Sequence, residues 1–236
     1  MLYIPLVRLF NRKRVTMCGR FSVAKKAEDI EERFNAKMDK SYFRAVYNAA
    51  PSQRLPVITN EDSHSVSFFR WGLVPFWAKN ISIGNKLINA RAETLVEKPA
   101  FRAALKKKRC LVIADGFYEW MKTKEEKIPY RIVLKDNVLF AFAGLWDEWI
   151  DTEGKSLFSF TIITTTPNAL MQTIHTRMPV ILTKDAEQTW LNTSSDMSDA
   201  LEALKPYSSE LMQAYPVSKA VNSTMHNEPD VMVSVK

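Results

Sequence analysis

The chain is poor in the residues that staple small folds or hold metals. It has two cysteines, Cys18 and Cys110, and three histidines, His64, His175 and His226. Two thiols so far apart make no disulfide framework, and the scattered histidines complete no zinc-ligand set. No metal and no cofactor is expected. Glycine is scarce, with six residues beside eleven prolines, which excludes collagen-like and low-complexity chains. No apolar run approaches the ~20 residues that span a bilayer. The opening MLYIPLVRLFNRKRVT places its apolar part before its basic cluster. A secretory signal has the reverse order and a small-residue cleavage site. No internal repeat is present. The expectation from these absences is a cytoplasmic protein with no membrane partner.

What is present is an ordinary globular balance. The 236 residues are 46% hydrophobic and 25% charged, sufficient to bury a core. Of the net charge of +7, four units come from Arg8, Arg12, Lys13 and Arg14, ahead of residue 17. The body is therefore mildly basic, which permits a nucleic-acid partner without demanding one.

Hydrophobic periodicity predicts a short charged helix over 25–38, with Ile30 and Phe34 four apart. Strands are predicted at 55–59, 65–72, 110–114, 130–134, 139–146, 158–166 and 177–183, with turn signals such as YNAAPSQ (47–53) between some of them. CLVIA is read as breaking at Asp115-Gly116. Helices are predicted from about Lys98 to Lys108, over 184–192 and around 197–213, and PNALMQTI (167–174) as a helical turn with Pro at its first position. PFWAKNISIGNK (75–86) has no period and reads as a long exposed loop, a kind of segment that is often functional. Many strands, short helices and no regular βαβ alternation predict an α+β fold with a mixed, largely antiparallel sheet. No linker follows residue 17, so 17–236 is read as one domain and 1–16 as an N-terminal extension.

Several polar residues lie where strand patterns end. Asn89, Arg91 and Glu93 alternate in INARAE and would share one strand face. That face is either solvated or aimed at phosphates and bases. Glu119 stands between Tyr118 and Trp120. It is either a surface carboxylate or a desolvated one suited to proton transfer. His175 and Arg177 in TIHTRMP form a weak anion-facing pair. Cys110 fits a buried structural thiol. Cys18 directly follows Met17, and a chain starting at Cys18 would carry an α-amine and a thiol on one residue. Such a 1,2-aminothiol condenses with an aldehyde to an imine, and the thiol then closes a thiazolidine ring.

MCGRF (17–21), YNAAPS (47–52), RWGLVPFWAK (70–79), INARAET (88–94), RCLVIADGFYEW (109–120) and IHTRMPVIL (174–182) occur in this order. Together they resemble the SOS response-associated peptidase family of abasic-site processing proteins, from residue 17 to about 223. The resemblance implies a barrel-like sheet flanked by short helices, and a monomer that meets abasic sites in single-stranded DNA, in the cytoplasm and associated with the nucleoid. It implies a covalent DNA–protein crosslink through an N-terminal Cys, here Cys18, that protects the lesion. Asn89 would orient the sugar, Glu119 would move protons, and His175 would assist ring opening and reversal. Arg20, Arg91 and Arg177 would hold phosphates, Thr164 would add a backbone contact and Trp77 would wedge against bases. Two other functions stay open: a thiol autopeptidase using Cys18, with Glu119 and His175, and a non-catalytic single-strand-binding module. A lyase activity through the same imine accompanies the first reading.

One feature departs from the family pattern. With residues 1–17 attached, the nitrogen of Cys18 is an amide and cannot form an imine. The expectation is that translation begins at Met17 and that this methionine is removed. Proteolytic removal and retention without crosslinking are the alternatives.

Overall fold

Alternating runs of β-branched and aromatic residues build most of the molecule. The computed structural model describes residues 18–194 and 196–235. The expectations for residues 1–16 and for Met17 lie outside the described residues. In chain order the strands are β1 (Phe21–Val23), β2 (Lys37–Met38), β3 (Val46–Ala49), β4 (Arg54–Thr59), β5 (Ser65–Trp71), β6 (Asn89–Arg91) and β7 (Arg109–Ala114). They continue as β8 (Gly116–Lys122), β9 (Lys127–Leu134), β10 (Phe140–Ile150), β11 (Ser156–Thr165), β12 (Met178–Pro179), β13 (Ile181–Leu182) and β14 (Met212–Pro216). The α-helices are α1 (Ala27–Phe34), α2 (Pro99–Lys107), α3 (Ala169–Gln172), α4 (Lys184–Leu191) and α5 (Met197–Glu202).

Five strands close on themselves. β11, β10, β7, β4 and β5 pair antiparallel in that order, and a parallel contact of β5 with β11 completes the ring. This is a mixed barrel, as the α+β reading expected. A second sheet, in the order β14-β9-β8-β1-β3, lies beside it. Phe21 joins the two. Its ring packs edge-on against Trp71 of the barrel at 5.0 Å and against Phe142 at 5.8 Å. Burying an aromatic of this kind contributes on the order of 2–3 kcal/mol, and here it anchors the segment three residues after Cys18.

Several local readings differ from the structure. The helix expected over 25–38 spans only Ala27–Phe34, and Lys37–Met38 is strand β2. The chain does not break lastingly at Asp115-Gly116 but resumes as β8, carrying Glu119 within a strand. The break is a corner: a Cβ at Gly116 would lie 2.8–3.0 Å from the Arg131 guanidinium, which would have to shift to admit a side chain there. INARAE is extended only over Asn89–Arg91, and Ala92–Thr94 turns into a 3-10 helix. Glu93 therefore leaves the strand face that alternation assigned to it. Residues 197–213 are not one helix, because α5 ends at Glu202 and Met212 opens β14. In α3 Asn168 is the cap, accepting from the Met171 N–H, so Pro167 stands before the helix.

The stretch 75–86 is exposed at Phe76 and Trp77, as its lack of period predicts, and ends in a 3-10 turn over Ile81–Lys86. Its neck is closed by two glycines in backbone contact. A Cβ on Gly72 would meet the Gly84 carbonyl oxygen at 2.6 Å, and Gly72 holds φ +116°, a conformation side chains avoid.

Candidate active site

Strand register brings Cys18 to Glu119. β1 pairs with β8 through Phe21–Phe117 and Ser22–Gly116, and the Tyr118 N–H donates to the Arg20 carbonyl. Continuing toward the N-terminus, the Cys18 nitrogen donates to Glu119 Oε1 at 2.7 Å. Both residues are buried, Cys18 to 4% and Glu119 to 1% exposure. From the other sheet, the Asn89 Nδ2 donates to the Cys18 carbonyl at 3.3 Å. Asn89 is held there by the parallel pairing of β6 with β11, where it faces Ile162. Cys18 has φ 32°, an uncommon value for a residue with a side chain. Such outliers concentrate where function over-determines the backbone.

Electrostatics distinguish the two groups. Burial pushes the Glu119 carboxyl above the usual carboxylate range, offset in part by His175 and by hydrogen bonds from Cys18. The group is therefore biased toward its protonated form. Burial, reinforced by the Glu119 charge, pushes the Cys18 thiol well above the usual thiol range, while Arg177 acts in the opposite sense. The thiol at rest is neutral.

His175 follows α3, half-buried, and its Nδ1 lies 3.2 Å from the Arg177 backbone nitrogen, so the ring is oriented by the turn it sits on. The Arg177 guanidinium makes a two-pronged pair with Glu93, at 2.6 and 2.9 Å, and donates to the Thr164 carbonyl at 2.7 Å. Thr164 is buried on β11, opposite Arg91 of β6. Arg91 is exposed on the same side of the molecule. Cys18, Asn89, Glu119, His175, Arg177 and Thr164 thus belong to one neighbourhood, with Arg91 at its edge. Arg20 is engaged differently. Its guanidinium donates to Asn48 Oδ1 at 2.9 Å and to the Val221 carbonyl at 2.6 Å, which ties it to the C-terminal segment. Trp77 stands out on the 75–86 loop at 47% exposure.

The sequence reading missed two contributors. Glu93 was noticed only for its alternation, yet it is the partner that aims Arg177. Asn48 is fully buried and donates through Nδ2 to the carbonyls of Val221, Ser223 and His226. An Asn inside the turn-like YNAAPS gave no sign of a partner nearly 180 residues away. Among the described residues no group of three or more His, Cys, Asp or Glu is placed to hold a metal ion.

The neighbourhood can protonate and deprotonate a group at the Cys18 nitrogen, and it can present cations to an anion. Comparison with known proteins shows the family. The family model "SOS response associated peptidase (SRAP)" matches residues 17–224. The abasic site processing protein YoqW of Bacillus subtilis is 49% identical over 223 residues, covering 92% of this chain and 100% of its own. The abasic site processing protein HMCES of Xenopus tropicalis is 33% identical, covering 84% of this chain and 68% of its own. A crystal structure of a Bacteroides thetaiotaomicron protein superposes with a TM-score of 0.86 at 35% identity, covering 93% of this chain and 100% of that one. The motifs, the barrel and these matches all agree, and the chain belongs to the SOS response associated peptidase family.

Proposed function

We propose that the protein senses abasic sites in single-stranded DNA and captures them through Cys18 as a thiazolidine crosslink. The active form begins at Cys18, by translation from Met17 and loss of that methionine, and residues 1–16 are not part of it. The observation that carries this reading is the contact between the Cys18 nitrogen and the buried Glu119 carboxyl at 2.7 Å. A proton-transfer group stands at the one atom that an imine requires.

The ring-opened abasic sugar presents an aldehyde. The α-amine adds to its carbonyl carbon, and the resulting hydroxyl leaves as water, giving an imine. The thiol then adds across the C=N bond: sulfur bonds to carbon and its proton passes to nitrogen. One water is released and no oxidant or reductant is consumed. Glu119, its pKa raised by burial, supplies a proton to the departing hydroxyl and receives one from the amine. The neutral thiol suits a sequence in which the amine attacks first.

Asn89 holds Cys18 by its carbonyl and orients the sugar. His175 assists ring opening and reversal. Arg91 and Arg177 bind phosphate, Thr164 fixes Arg177 and offers a backbone contact, and Trp77 packs against an unpaired base. Arg20 combines a phosphate role with its tie to the C-terminal segment. The protein works as a monomer in the cytoplasm, at the nucleoid, and a lyase step through the same imine is open to it.

The test uses the chain beginning at Cys18 and a single-stranded oligonucleotide carrying one abasic site. A heat-stable shifted band on a denaturing gel is expected, and its absence, with binding intact, would sink the crosslink. Cys18→Ser keeps the amine and loses the thiol, so its adduct should be weaker and reversible.

A further inference from the structure

Helix α2 carries a basic surface that the chemistry above does not use. Its inward face buries Phe101, Ala104 and Leu105, while Arg102, Lys106 and Lys107 are exposed. The helix has no acidic residue, and Arg102 and Lys106 are four apart, where like charges repel by a few tenths of a kcal/mol. Among the described residues none of these three side chains is in an ion pair. Lysines in a last helical turn complement the helix dipole, but that accounts for neither Arg102 nor the hollow beside it.

The hollow has a volume of about 500 Å³ and is lined by Arg102, Lys106, Lys107, Lys108, Asp147 and Phe76, on a floor of small residues. Its one acid is already satisfied. Asp147 Oδ1 accepts from the Lys108 ammonium at 2.8 Å, and Oδ2 accepts from the Phe76 N–H at 2.9 Å. What the hollow offers a ligand is thus cationic, with the Phe76 ring standing at its rim, 62% exposed. The same Asp147 contact joins α2 to the start of the 75–86 loop. On that loop, Trp77, Lys79 and Lys86 line a second hollow of about 370 Å³. Asp147 pairs with Ser159 of β11 and Asn89 with Ile162 of the same strand, so one strand carries both the α2 hollow and the Asn89 side of the site.

We propose that the α2 hollow is an accessory site for the sugar-phosphate backbone of single-stranded nucleic acid flanking the lesion. Arg102, Lys106 and Lys107 contact phosphates and Phe76 stacks on an unpaired base. Charge complementarity selects the polyanion, and the exposed ring beside the cations selects a strand with free base faces over a duplex. The proposal rests on the nucleic-acid reading of the protein and adds a second contact region to it.

The test is fluorescence anisotropy of the chain beginning at Cys18 with undamaged single-stranded oligonucleotides of about 8 and about 24 nucleotides, lengths that bracket typical site sizes. The variant combines Arg102→Ala, Lys106→Ala and Lys107→Ala, all exposed and all replaced by a good helix former. The wild type should bind the longer strand more tightly, and the variant should lose that gain. Its slope of log affinity against log salt on the longer strand should become shallower by about 2, at ~0.7 for each phosphate that is no longer neutralised. Arg102→Lys with Lys106→Arg and Lys107→Arg should restore both. An unchanged length gain and slope in the alanine variant would overturn the site. So would a loss confined to duplex, or to vesicles of anionic phospholipid. Adduct formation on an abasic oligonucleotide of about 8 nucleotides should be equal in variant and wild type. If neither forms an adduct, the crosslink fails while the anisotropy still decides the accessory site.

Discussion

Burial raises the pKa of Glu119, and linkage turns that into a statement about stability. The folded chain keeps this proton to a higher pH than the unfolded chain, whose carboxyl titrates near ~4.3. Stability therefore falls as pH rises from that value through the raised folded pKa, and above it the buried charge is carried in full. Glu119→Gln removes the charge and keeps the shape. Its Tm should match the wild type near pH ~4 and exceed it increasingly as the pH rises through the raised folded pKa. A constant difference across pH would refute the linkage. The same substitution should slow adduct formation by about 100-fold or more, read from single-turnover gels. Opposite signs for stability and activity separate a functional carboxylate from a structural one. Of the residues singled out in the sequence, Glu119 was legible as an acid between aromatics. Its burial was not, because that depends on β1 pairing with β8 and bringing Cys18 against it.

At the scale of elements, β1 is held in register by a buried polar network. Asp115 Oδ1 accepts from the Ser22 hydroxyl at 2.6 Å and from Arg131 Nη2 at 3.0 Å, and its Oδ2 accepts from the Ala24 N–H. Arg131 continues to the Tyr215 hydroxyl at 2.8 Å, and that hydroxyl donates to the Met232 carbonyl. Asp115 and Arg131 are both at most 4% exposed. Breaking a buried pair by removing one charge strands the other, at ~3–5 kcal/mol. Asp115→Leu should lower the urea midpoint accordingly and weaken the Cys18–Glu119 alignment. A midpoint within error of the wild type would refute that role. The 75–86 loop gives a second case. Gly84→Ala places a Cβ 2.6 Å from the Gly72 carbonyl oxygen, an overpacking cost of about 1–3 kcal/mol. Limited proteolysis should then cut within 75–86 faster than in the wild type, and an unchanged pattern would show that the glycine contact does not hold the loop.

Over the whole molecule, the C-terminal segment folds back onto Arg20, β3 and β8. Asn227 Oδ1 accepts from the Tyr47 and Asn48 N–H groups, Asn48 spans three carbonyls of 221–226, and Trp120 Nε1 donates to Asn222 Oδ1 at 2.7 Å. Arg20 joins the same cluster. Asn48→Ala would remove the side-chain donor from the part-buried Ser223 and His226 carbonyls and the acceptor of one Arg20 N–H, at about 1–3 kcal/mol. Faster hydrogen exchange over residues 218–227 and a lower Tm should follow, and neither should be restored by adding DNA at high salt, where phosphate contacts are screened. Retained protection of that segment would show that Asn48 is dispensable.

The residue types proposed for the chemistry were readable from the chain alone, as were the strand-rich α+β class and the exposed loop at 75–86. Local information suffices there, because side-chain period, turn residues and functional groups are written within a few positions of one another. The barrel closure, the meeting of Cys18, Asn89 and Glu119, and the pairing of Arg177 with Glu93 were not readable. Cys18 and Glu119 are 101 positions apart, and Arg177 and Glu93 are 84 apart. Short strands such as β1, β3 and β14 carry too few residues to show a period. They become strands only when a longer neighbour supplies the hydrogen-bond partners that water would otherwise provide.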